Sequence, residues 1–401
     1  MAGIAPNVVV RHKVAELAEA VIALRRTLHQ WPELGFQEAR TSALVAEYLQ
    51  ALGIEVRTGI GQTGVLGMLR GEGEGRTVLL RADMDGLPIE EANGAPYASK
   101  NHGVMHACGH DGHTAILLTV AKVLAQCREQ FSGIVKFAFQ PAEELPPGGA
   151  KEMIEGGVLE DPKVDATFGL HLWNGLPVGK IGVDEGPIMA SVDRFDIVIK
   201  GVGSHGAYPQ SGVDPIVVGS HIVAALQTLV SREVPPLTPA VVTVGKFQSG
   251  TAFNVIPSQA DLSGTVRTVD ARIRDEMPAR IERIVRGVTS GMRAEYTFNY
   301  AFGYPVTIND VNRARFARHV AASIVGDGNV VSAGLSMGAE DMSYFLEAVP
   351  GWYLRLGSGN ADKGLIHPHH SALFNFDEDA LLIGVELLAQ LSLSYLSGRD
   401  Q

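Results

Sequence analysis

The sequence predicts an α/β protein of two domains: a central mixed sheet flanked by helices, interrupted by an inserted ferredoxin-like α+β domain. Three observations lead to this. The chain has 401 residues, 46% of them hydrophobic, which is enough for two cores. Its first half alternates apolar helical spacing with short, nearly continuous apolar runs, the pattern of strands covered on both faces. From about Ser191 the order becomes strand-helix-strand-strand-helix-strand, which is the ferredoxin-like order. The predicted division is residues 1–188 and 304–401 for the principal domain and 189–303 for the insertion.

Apolar positions at Val14, Leu17, Val21, Ile22 and Leu28 predict one amphipathic helix over Val9 to Gln30, broken by Trp31-Pro32-Glu33-Leu34-Gly35-Phe36. A second helix is expected from Thr41 to Leu52, stopped by Gly53. Strands follow at Ile54–Arg57, Gly64–Arg70 and Thr77–Ala82, and the last delivers Asp83-Met84-Asp85 at its end. A helix is expected from Thr114 to Glu129, with Cys127 as a small apolar filler. The strand Gly133–Phe139 ends in Gln140-Pro141-Ala142-Glu143-Glu144, and residues 163–171 form a strand terminating at His171.

Inside the insertion, the strand at residues 193–200 leads into the flexible Gly201-Val202-Gly203-Ser204-His205-Gly206 loop. A helix over Asp214–Ser231, strands over Ala240–Gln248 and Asn254–Val269, a helix over Ala271–Met292 and a strand over Ala294–Tyr300 complete it. The chain then returns to alternating elements: a strand at Trp352–Gly357, a loop at Ile366–Ser371 with three histidines, and a closing helix from Glu378 to Ser397.

Composition narrows the function. With 46 glycines and only 19% charged residues, the chain reads as a compact, loop-rich enzyme. A net charge of −11 argues against a nucleic-acid surface, leaving a small-molecule partner as the simpler reading. Two cysteines, Cys108 and Cys127, cannot build a multi-bridge framework, so a reducing cytoplasm is expected. No run is long enough to be read as a signal peptide or a membrane span.

The chemistry concentrates between Gly103 and Leu118, where His106, Cys108, His110 and His113 fall within eight positions ahead of an apolar run. Such a stretch is costly to bury unless a cation sits at its centre. Cys108, His110, Glu144, His171 and one histidine of the 367–370 loop offer thiolate, imidazole and carboxylate together. That mixture suits zinc, manganese, cobalt or nickel better than calcium or magnesium. Five donors exceed a closed four-coordinate site, so two metals sharing a bridging ligand fit better. Glu143 and Glu144 are adjacent, point in different directions, and so can hold different roles.

These residues carry a resemblance. The segments Arg26-Thr-Leu-His-Gln-Trp-Pro-Glu-Leu-Gly-Phe, Arg81-Ala-Asp-Met-Asp-Gly-Leu-Pro, Met105-His-Ala-Cys-Gly-His-Asp-Gly-His, Gln140-Pro-Ala-Glu-Glu, Gly169-Leu-His, Gly203-Ser-His-Gly-Ala-Tyr-Pro, Phe253-Asn-Val-Ile-Pro, Gly264-Thr-Val-Arg and Gly338-Ala-Glu-Asp-Met run nearly end to end. Together they resemble the metal-dependent amidohydrolases that include hippurate hydrolase, the auxin-conjugate hydrolases, aminoacylases and carboxypeptidase-G-type peptidases.

The resemblance implies a zinc-peptidase-like catalytic domain and an insertion serving as lid and dimerisation surface, giving a homodimer or dimer of dimers. By motif, the ligands of two divalent metals are Cys108, His110, Glu144, His171 and His370, with Cys108 as bridge. His370 is preferred to His369 because the family's ligand precedes Ser, although this chain continues Ser371-Ala372 where the family has Ser-Pro. Asp83 stands where related branches place a metal-binding His, and Asp85 would orient a ligand or the base. Glu143 is the implied general base. His205 is the implied oxyanion donor, reaching the opposite subunit's site, while Asn254 and Arg267 would bind the substrate carboxylate.

The expected activity is hydrolysis of N-acyl amino acids, hippurate-like or N-acetyl. A dipeptidase or carboxypeptidase is the alternative, and a non-catalytic carboxylate-binding module the remote one.

Overall fold

The computed structural model describes residues 8–399. The chain falls into two compact units. One holds the chain up to Gly186, Ile308–Gly334 and everything from Asp341 on; the other holds Pro187–Thr307 and Leu335–Glu340.

The first unit is built on an eight-stranded mixed sheet. Its order is Glu55–Ile60, Gly64–Arg70, Ile134–Gln140, Thr77–Asp83, Ala166–Pro177, Gly351–Gly359, Ile181–Gly182, Val330–Val331. The four strands from Ile134–Gln140 to Gly351–Gly359 run parallel, so their connections leave from one edge. The Thr77–Asp83 strand is buried along its whole length, as its Val-Leu-Leu run requires. Val78, Leu80 and Ala82 join the main core, while Arg81 points to the alternate face and reaches Asp341.

The helix His110–Ala125 packs against this sheet with every residue buried except Lys122 and Ala125. Asp379–Leu396 packs on it; by length and composition it could cross a membrane, but 78% of it is buried in this core. Burying residues such as Leu117, Leu118, Leu388 and Leu391 stabilises the fold by about 1.5–3 kcal/mol per side chain.

Three local readings in this unit need correction, and in the second unit the strand expected over Asn254–Val269 is two, Val255–Ile256 and Gln259–Thr268, in different sheets. The single helix expected over Val9 to Gln30 is two, Val8–Glu16 and Ala18–His29, because Leu17 leaves helical geometry and its N–H bonds back three residues to Val14. The helix expected from Thr114 begins four residues earlier, at His110, so Asp111 and His113 lie in its first turn. The strand expected to end at His171 continues to Pro177, held by parallel pairing with Gly351–Gly359.

The second unit has a four-stranded antiparallel sheet in the order Ala240–Ser249, Gln259–Thr268, Asp193–Lys200, Glu295–Phe302. In chain order that is 2-3-1-4, the ferredoxin-like arrangement read from the sequence. Its helices Pro215–Thr228 and Ala271–Gly291 start at Asp214 and Asp270, whose carboxylates accept the first free backbone N–H groups. Ile197, Ile199, Ile222, Leu226, Met277 and Ile281 form its core.

Candidate active site

Parallel pairing sets the site. Asp83 lies opposite Gln140, so the chain leaving both strands emerges side by side as Met84-Asp85 and Pro141–Glu144. Arg81 lies opposite Gly169, which carries His171 two residues further along the same edge. Gly109, at φ 90°, makes the left-handed turn that separates Cys108 from His110, the first residue of its helix.

The donors converge. Cys108 Sγ is 3.5 Å from His171 Nε2, and Glu144 Oε1 is 3.0 Å from His370 Nε2 and 4.0 Å from His110 Nε2. In each of the sets Cys108–His110–His171, Cys108–Glu144–His370 and His110–Glu143–Glu144, the donor atoms lie within 4.8 Å of one another. His370 holds this position with a left-handed backbone, φ 64°, and donates its N–H to the Ala107 carbonyl.

Hydrogen bonding decides which ring nitrogens are available. His110 Nδ1 faces the Asp85 carbonyl at 3.0 Å and its Oδ1 at 3.1 Å, so the proton sits there and Nε2 is left buried without a hydrogen-bond partner. His171 Nδ1 donates to the Leu172 carbonyl at 2.6 Å, turning Nε2 toward Cys108. His113 differs. Its Nε2 accepts the Leu172 N–H at 2.9 Å and its Nδ1 donates to Asp83 at 2.6 Å, so both nitrogens are committed. His369 Nε2 donates to the Leu172 carbonyl at 2.9 Å and belongs to none of the converging sets. Asp83 is likewise occupied, by His113 and by Arg81 at 2.7 Å.

The electrostatics suit a cation. Burial pushes the Cys108 thiol well up, and Glu144, Glu143 and Asp83 push it further; only a positive charge would make it a thiolate. Burial lowers His110, but Asp83, Asp85 and Glu144 outweigh it and raise the imidazolium to about 10. His171 is held well below its usual value by burial and by His113 and His369, which keeps it in the neutral form a metal binds. The buried, unpartnered His110 Nε2, with Glu144 Oε1 and Cys108 among the donors around it, fits a divalent metal of the borderline class.

His106 is buried with neither ring nitrogen hydrogen-bonded, and burial pulls it to about 4. Two further parts of the site had no role assigned from sequence. Arg81 ties Asp83 to Asp341, and Gln140 donates to both Asp341 oxygens. Arg25 and His29, some eighty residues upstream, bond Asp111 at 2.6 Å and 2.8 Å inside the first turn of the helix that carries His110. Nothing in the helical spacing of the Val9 to Gln30 segment ties either residue to Asp111.

In the second unit, His205 is exposed and its Nδ1 accepts the Ala207 N–H. It pairs with Val255, which places it beside exposed Asn254, whose carbonyl accepts from Gly206. Arg267 belongs to a different sheet, opposite Val241, and is half-buried.

A parallel-strand edge bearing thiol, imidazole and carboxylate donors, with a second carboxylate beside them, defines a metal-dependent hydrolase. Residues 79–394 match the model of Peptidase family M20/M25/M40, and the chain belongs to that family. It is 49% identical over 300 residues to an N-acyl-L-amino acid amidohydrolase of Geobacillus stearothermophilus, covering 75% of this chain and 80% of the other. Thermostable carboxypeptidase 2 of Saccharolobus solfataricus is 41% identical, covering 96% and 98%. The crystal structure of Bacillus subtilis YXEP, described as a dinuclear metal-binding peptidase, superposes with a TM-score of 0.84 at 38% identity, covering 96% of this chain and 99% of that one.

Proposed function

We propose that the protein hydrolyses the amide bond of N-acyl amino acids, with Glu143 as general base. Cys108, His110, Glu144, His171 and His370 would hold two divalent metals, zinc, manganese, cobalt or nickel, with Cys108 as the bridge. The observation that carries this reading is the unpartnered, buried His110 Nε2 aimed among the other donors beside Glu143. Bound metal supplies Lewis acidity at the scissile carbonyl and acidifies the attacking water.

The chain's own residues do the rest. Asp85 holds the His110 proton on Nδ1 and so presents Nε2. Glu143, 6% exposed, takes the proton of the attacking water and passes it to the leaving amine. Asn254 and Arg267 would hold the substrate carboxylate, and His205 the developing oxyanion of the partner subunit's site. The second unit then acts as lid and dimerisation surface in a homodimer or dimer of dimers.

A dipeptidase or carboxypeptidase is the second reading, supported by the archaeal carboxypeptidase relative. A panel of N-acetylalanine, N-benzoylglycine and alanylalanine, assayed for released amine with each of the four metals, separates the two. Acyl amino acids should be turned over fastest. Exclusive cleavage of the dipeptide would favour the second reading, and tight binding without release would replace both with a binding module.

A further inference from the structure

We propose that Glu38 is a positioning residue that aims Glu143, a role that rests on Glu143 being the general base. Glu38 is fully buried and stands at the residue before the helix Ala39–Ala51, the position from which a side chain can cap the first turn. It makes no such bond. Glu33 takes over that task, its carboxylate accepting the Arg40 and Thr41 N–H groups and the Thr41 hydroxyl at 2.8–3.0 Å. Glu38 is thereby free to reach across 104 positions and accept the Ala142 N–H at 2.9 Å, while the Thr63 hydroxyl donates to its other oxygen.

Ala142 is the residue immediately before Glu143, and its φ of 51° lies in the left-handed region that a β-carbon disfavours. A strained peptide persists only where its surroundings impose it. Gly35 presses on the same residue from the Glu38 segment: a β-carbon there would stand 2.9 Å from Ala142 Cβ and 3.0 Å from its Cα. On the other side of Glu143, the Glu144 N–H donates to Asp85 Oδ2 at 2.9 Å. Two buried carboxylates thus grip the backbone on either side of Glu143, and Asp85 is at the same time bonded to His110. Burying an acidic group to hold one amide is a poor route to stability, since desolvation opposes it. It is an effective route to a fixed direction for the next side chain.

The test compares Glu38→Ala, Glu38→Gln and Glu143→Gln with N-acetylalanine and N-benzoylglycine as probes, alongside metal content and thermal midpoint. Gln keeps an oxygen for the Ala142 N–H and an amide for Thr63; Ala keeps neither. Glu38→Ala should lose about 10–100-fold in kcat with KM and metal content within about twofold of wild type. Glu38→Gln should remain within about threefold of wild type. Equal impairment of the two Glu38 variants, or loss of kcat together with metal, would overturn the proposal. Should Glu38→Ala fail to fold, Thr63→Val, which loosens the same grip, should lower kcat severalfold with metal retained; full activity there overturns it. An inactive Glu143→Gln beside a fully active Glu38→Ala sinks this proposal alone, whereas a fully active Glu143→Gln removes the base assignment and this role with it.

Discussion

The helix start at Cys108–His113 and the loop at His367–His370 both offer neighbouring histidines, and in each the structure presents one ring to the donor cluster and ties up another. At the helix start it is His110 that points in and His113 that is bonded at both nitrogens. In the loop His370 faces Glu144 while His369 donates to a carbonyl. The sorting agent is shared: the Leu172 backbone donates its N–H to His113, and its carbonyl accepts hydrogen bonds from His369 and His171. The two regions differ in support. His110 is buried on a fully packed helix, whereas the His370 side chain is 52% exposed on a loop. Metal binding and fold stability should therefore be entangled in the first region and separable in the second.

The largest effects fall on the donors. Cys108→Ala should empty at least one metal position by elemental analysis, and full occupancy in that variant would remove its bridging role. His370→Ala should also lose metal, yet leave the melting temperature of metal-free protein near wild type. His369→Ala should do the reverse, keeping metal while costing about 0.5–1.5 kcal/mol for one of the two hydrogen bonds to the Leu172 carbonyl, the His171 bond remaining. Equal metal loss in both histidine variants would erase the distinction between them.

A smaller effect is read against pH. Burial alone would raise the Asp111 carboxyl, but Arg25 and His29 outweigh it and hold it far below the ordinary range. Its contribution to stability is then full above the unfolded-chain value of about 4 and is lost as pH falls through and below it. Metal-free wild type should lose about 1 kcal/mol more than Asp111→Asn between about pH 5 and pH 3. A gap between the two that does not change with pH would contradict this, and would leave the helix start supported by packing alone.

The sheet and its strand ends were legible in the sequence because buried strands write themselves as nearly continuous apolar runs, as in Thr77–Asp83 and Ile134–Gln140. The division of labour among the histidines was not. It depends on where the backbone N–H and C=O of Leu172 point, and Leu172 reads only as a hydrophobic strand residue. Helix boundaries misled for a related reason: the Gly109 turn sets the start at His110, while the apolar pattern begins at Thr114. Glu38 was invisible because its partner, the Ala142 N–H, lies 104 positions away and no spacing pattern links the two. The structure shows Glu33 bonding the first turn of the Ala39–Ala51 helix, and only the fold brings Glu38 to Ala142.

The most direct measurement is turnover and metal content on Glu143→Gln in one preparation. The division between two adjacent carboxylates predicts that kcat falls by at least about 10²–10⁴-fold while metal stays near the wild-type level. Loss of metal along with activity would show that Glu143 is a ligand and not the base.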